Sequence, residues 1–112
     1  MDNILRKIVL ILALDKKIVG LLREIHEAEI NTTMKEKDGL ILNRKELIQG
    51  LTDAINYYQA RRNNLAAELT NLDLEELEQA YNFIQKLEID KKLEMLMLIT
   101  EIIEQKEDTL NR

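Results

Sequence analysis

A chain of 112 residues, 46% apolar and 33% charged, has the length and composition of one globular domain rather than of a disordered or fibrous segment. It contains no proline, no cysteine and only three glycines, Gly20, Gly39 and Gly50, which removes the turn chemistry of tight β-hairpins and excludes disulfides, zinc–thiolate sites, iron–sulfur clusters and thiol nucleophiles. Its 21 acidic and 16 basic residues give a formal charge of −5, which repels phosphate over most of the surface and disfavours nucleic acid as a partner.

The opening Met1-Asp2-Asn3-Ile4-Leu5-Arg6-Lys7, followed by apolar residues 8–14, has the outline of a signal peptide. Asp2 in the basic region, the shortness of the apolar run and Asp15-Lys16-Lys17 at the place of small cleavage-site residues argue for mature structure instead. No other apolar run approaches the roughly 18 residues needed to span a bilayer, so a soluble, cytoplasmic protein is expected. Alternating steps of four and three residues give the stripe Ile4, Ile8, Ile11, Asp15, Ile18, Leu22 and Ile25, which predicts a first helix over residues 3–30. Asn31-Thr32-Thr33 and the turn pair Asp38-Gly39 place its end between residues 31 and 39.

From Ile41 the same steps reach Arg44, Ile48, Leu51, Ile55, Tyr58, Arg62, Leu65 and Leu69, a second helix over residues 40–69. Asp73 and Glu76 match an acidic capping box, with Leu72 and Leu77 placed as a hydrophobic staple, so a third helix begins at Leu74. It runs through Leu77, Tyr81 and Ile84 before the apolar phase is lost at Glu88 and Lys91. The pattern restarts at Leu93, with Asp90 available as a cap and a polar tail over residues 105–112; one bent helix over residues 74–105 is the alternative. The expected fold is all-α over residues 1–112: an antiparallel helical hairpin plus a C-terminal helix pair, a three- or four-helix bundle in a single domain. Folding the hairpin near residue 35 puts Gly20 level with Gly50 and predicts a tight helix crossing there.

Residues that could carry chemistry are few. His26 stands among Glu24, Glu27 and Glu29, but Arg23 occupies the position where a di-iron Glu-x-x-His motif needs its glutamate, so no metal is expected. Asp15, Glu29, Arg44 and Arg62 fall on or beside apolar stripes, where interhelical pairing, Glu29 with Arg44 in particular, accounts for them. Gln59, Arg61, Arg62, Asn63 and Asn64 form the most nucleic-acid-like stretch, which makes a DNA-binding regulator using Arg61 and Arg62 the alternative reading. The acidic pairs Glu75-Glu76 and Glu101-Glu104 have ordinary helical spacing on solvated faces. No Gly-rich phosphate loop or Ser/His/Asp set is present, so neither catalysis nor a cofactor is expected.

The informative feature is surplus apolar surface. Residues 8–14 and 93–103 are apolar on nearly every side of their helices, whereas a helix in a small bundle needs only one stripe. This predicts an interface, through self-association as a dimer or with a protein partner, built from Ile8, Val9, Ile11, Leu12, Leu93, Met95, Leu96, Met97, Ile99 and Ile103. Met95 and Met97 supply flexible side chains suited to an adaptable surface.

Two resemblances point the same way. Lys45-Glu46-Leu47-Ile48 with Arg61, Arg62, Leu65, Ala66, Glu68 and Leu69 is similar to the long-helix pattern of flagellar hook-junction export chaperones, over about a quarter of the chain. Leu74, Leu77, Ala80-Tyr81, Leu87 and Asp90, leading to Glu101-Ile102, resembles the helical hairpin of small sporulation-kinase inhibitors. The two families differ, so neither is adopted as an assignment; what both imply is binding of proteins through helix surfaces. The expected function is therefore a non-enzymatic interaction protein, an adaptor, chaperone or inhibitor, with a flagellar-type export chaperone as one form of it.

Overall fold

The computed structural model describes residues 2–30 and 44–111. Four helices follow one another, α1 (Asp2–Ile30), α2 (Arg44–Thr70), α3 (Leu74–Lys86) and α4 (Lys92–Leu110), with no strand among the described residues. The expected all-α architecture of a hairpin followed by a helix pair is the one observed. The expected first break, the expected start of the second helix at residue 40 and the side chain of Arg44, with its pairing to Glu29, lie outside the described residues.

Two compact units are formed, one from Met1–Ala13 with Arg62–Arg112 and one from Leu14–Arg61. The first holds the main core, to which every helix contributes. Ile4, Ile8 and Ile11 come from α1, Leu69 from α2, Leu77, Ala80 and Ile84 from α3, and Met95, Leu98, Ile99 and Ile102 from α4. Each set repeats at three- or four-residue spacing, so it occupies one side of its helix. Lys7 and Glu68 pair at 3.4 Å on the rim of this core, both partly exposed, which limits the pair to below about 1 kcal/mol.

The chain turns into α3 where expected, but not by the expected bond. Asp73 has the extended backbone of an N-cap (φ −65°, ψ 148°), yet its side chain makes no capping hydrogen bond. Its carbonyl accepts from the Leu77 N–H at 3.1 Å, the first intrahelical bond, and Glu75 and Glu76 put negative charge in the first turn, where the helix dipole favours it. The staple is made: Leu77 is fully buried and Leu72 packs against the same core. Leu87 is extended (ψ 146°), so α3 and α4 are separate helices and not one bent rod. The residue capping α4 is Lys91 rather than Asp90, again without a side-chain bond, and α4 continues through most of the polar tail to Leu110.

The second unit is a pair of helix segments with a thin seam. On α2 the half-buried or buried positions Ile48, Leu51, Ile55 and Tyr58 are those the periodicity predicts, and Arg62, Leu65 and Leu69 continue the series in the first unit. On α1 the expected stripe is kept at Ile18 and Ile25 and departs at one position. Leu14, Ile18, Leu21, Ile25 and Ala28 turn inward, while Leu22 is exposed. Leu21 and Leu22 are equally apolar neighbours about 100° apart around the helix, and either can follow Ile18 at three- or four-residue spacing, so periodicity could not choose between them. Asp15 stays half-buried, engaged by neighbouring groups, and Glu29 is exposed.

The tight crossing at the glycines is not formed. Lys17 lies over the ring of Tyr58, 5.9 Å from its centroid. Nothing stands within 4 Å of a Cβ placed on either glycine. Both therefore carry the entropic cost of glycine in a helix with no close approach to offset it, and Gly50→Ala is expected to raise the free energy of unfolding by about 0.5–1 kcal/mol in urea titrations.

Candidate interaction surface

The ten residues expected at an interface separate into three groups. Ile8, Ile11, Met95 and Ile99 are buried in the core of the first unit; the chain's own helices use them, so they are not available to a partner. Leu12, Leu96 and Ile103 are half-buried against that core. Only Val9, Leu93 and Met97 remain open, at 48%, 70% and 63% exposure.

Helical geometry explains the division. Leu93 and Met97 each lie two residues from the buried Met95, a rotation of about 200°, so they stand on the side of α4 opposite the core. They are four residues apart and therefore adjacent on that side. Ile89, half-exposed, precedes Leu93 by the same interval in the turn where its carbonyl accepts from the Lys92 N–H at 3.3 Å. Towards the C-terminal end the outer side of α4 becomes polar with Thr100, Glu101 and Glu104. The open apolar surface of α4 is thus found at its beginning, with Leu110 a separate exposed side chain at its end. Phe83, Ile89 and Leu10 are exposed apolar side chains of the same unit that periodicity did not single out, since single apolar residues off a stripe carry no sequence signal.

Other candidates are placed as follows. Arg61 is exposed, its guanidinium 5.9 Å from the Tyr57 ring centroid, whereas Arg62 is half-buried on the α2 seam. Consecutive helical residues diverge by about 100°, so the two arginines do not make one basic patch. His26 is exposed, and among the described residues no group of three or more His, Asp or Glu side chains could hold a metal ion. Glu75, Glu76, Glu101 and Glu104 are all exposed.

Glu104 shares an open groove of about 510 Å³ between α3 and α4 with Glu78 and Glu107, floored by the half-buried Tyr81 and Ile103. No polar or charged side chain is buried among the described residues. Nor is any helix long and apolar enough to cross a membrane among the described residues.

No protein-family model, no curated protein and no solved structure matches the chain, so its function has to be argued from its own residues.

Proposed function

We propose that this is a non-enzymatic interaction protein that binds another protein through the outer side of α4. The observation that carries the reading is the exposure of Leu93 and Met97, adjacent on one side of α4 and opposite the core. Leaving two large apolar side chains at 70% and 63% exposure is uncompensated in the isolated chain, and about 25 cal/mol per Å² is recovered when such surface is covered. Met97 is unbranched and adaptable, and Glu94 and Glu101 on the neighbouring surface supply the polar rim that fixes orientation around an apolar centre.

The test is the double change Leu93→Lys with Met97→Lys. Both positions are exposed, so helicity and the unfolding midpoint should stay within the small range of surface substitutions, about 0.5 kcal/mol each. Tagged wild-type protein should recover a specific partner from cells of its source, and the double variant should lose it. Recovery of the same proteins in the same yield by both forms would overturn the reading.

A further inference from the structure

The groove between α3 and α4 has an apolar floor, the half-buried Tyr81 and Ile103, and a rim that carries charge of one sign. Glu78 stands on its α3 side and Glu104 and Glu107 on its α4 side, all three exposed, while Asn82 and Thr100 complete the lining with neutral polar groups. Lys86, Lys92 and Lys106, the basic residues of these two helices, are not among the described residues that line it. None of the three carboxylates makes an ion pair among the described residues. Glu104 and Glu107 stand three residues apart on one helix and repel each other, and no cation of the lining offsets that repulsion.

The groove is continuous with the open apolar surface at the beginning of α4. Leu93, Met97, Thr100, Glu104 and Glu107 follow one another at intervals of four and three residues, so they form one line along the helix. This line is apolar at its start and acidic at its end, over a span of about 21 Å at about 1.5 Å per residue. A furrow between two packed helices is a shape that receives a third helix. Resting on the reading that the chain binds a protein through α4, we propose that the segment of the partner that docks here is a basic amphipathic helix. Its apolar residues cover Tyr81 and Ile103 and, further along, Leu93 and Met97; its Lys or Arg side chains reach Glu78, Glu104 and Glu107. A neutral or acidic apolar helix would match the floor but would desolvate three carboxylates without a countercharge, which opposes binding. A second copy of this chain fits poorly for the same reason, because its own apolar pair on α4 is accompanied by Glu94 and Glu101 and its formal charge is −5.

The experiment is a fluorescence-anisotropy titration of the full chain into a labelled synthetic peptide built from Leu and Lys at helical spacing. It is run at about 0.1 M salt, where charges more than about 10 Å apart are largely screened. The Leu–Lys peptide should bind, and less tightly as salt is raised; its counterpart with Glu in place of each Lys should not bind. Glu78→Lys with Glu104→Lys and Glu107→Lys should weaken binding at least about tenfold. Glu24→Lys with Glu27→Lys and Glu29→Lys makes the same change of net charge at exposed positions of α1, and should stay within about twofold of the wild type under that screening. Helicity and urea unfolding are the controls on the fold. Should the lysine variant of the groove fail to fold, Glu78→Gln with Glu104→Gln and Glu107→Gln keeps the shape of the side chains and should still weaken binding about fivefold. A wild type that ignores the Leu–Lys peptide or takes up the Leu–Glu peptide equally well, groove variants that bind as the wild type does, or an equal loss in the α1 variant would each overturn the inference. If the cellular partner is lost with Leu93→Lys and Met97→Lys but kept in full by the groove variants, the surface on α4 stands as the binding site and the basic helix is excluded.

Discussion

Leu77→Ala is expected to lower the free energy of unfolding by about 2–5 kcal/mol, the range for truncating a fully buried leucine whose site cannot collapse. Leu77 is fully buried in the cluster to which all four helices contribute and which includes Ile8, Leu69, Ile84 and Ile99. A small domain holds only about 5–15 kcal/mol in total, so this one change removes a large share. Met95→Lys should do more, because Met95 is buried among Leu98, Ile99 and Ile102 with no acidic side chain in that cluster; an ammonium there is desolvated and unpaired, and the chain is expected to be largely unfolded at 25 °C. Leu22→Ala is the control. It removes a similar number of carbon atoms from a side chain that is half in water, and should cost under about 1 kcal/mol. Urea unfolding followed by far-ultraviolet circular dichroism measures all three. Equal losses for Leu77→Ala and Leu22→Ala would contradict the placement of the core.

The second large effect is expected in hydrogen exchange. Among the described residues of the unit Leu14–Arg61 only Ala28 and Ile55 are buried, whereas the other unit holds a core fed by four helices. Regions with few buried apolar contacts open locally at free energies well below that of global unfolding, and isolated helices gain most of their stability from packing of an apolar side. Amides of residues 18–28 and 48–58 should therefore exchange at least about tenfold faster than those of residues 77–84 and 95–102, a difference of about 1.4 kcal/mol or more in opening. Uniform protection across both sets would mean that the thin seam is as stable as the core, against the burial observed.

Much of this fold is legible in the sequence wherever a helix has a single apolar stripe. The α2 positions Ile48, Leu51, Ile55, Tyr58, Arg62, Leu65 and Leu69 are all at least half-buried, because the other sides are mostly polar, with Leu47 and Tyr57 as isolated exceptions, and leave the helix one way to face. The break before α3 is equally determined: Leu72 and Leu77 can meet only if the chain turns between them. Where apolar residues surround the helix, the sequence is silent about direction. On α4 nothing in its own pattern says that Met95 and Ile99 face inward while Leu93 and Met97 face water. On α1 the choice of Leu21 over Leu22 has the same origin, two equivalent side chains about 100° apart.

Composition and periodicity by themselves determined that the chain is helical, where α3 begins and which side of α2 is buried, since these follow from local backbone preference and from spacing along one helix. Which of the surplus apolar residues remain exposed was decided by the tertiary structure alone. That outcome depends on the helices standing around α1 and α4, and a neighbour distant in sequence leaves no mark on the periodicity of the helix it covers.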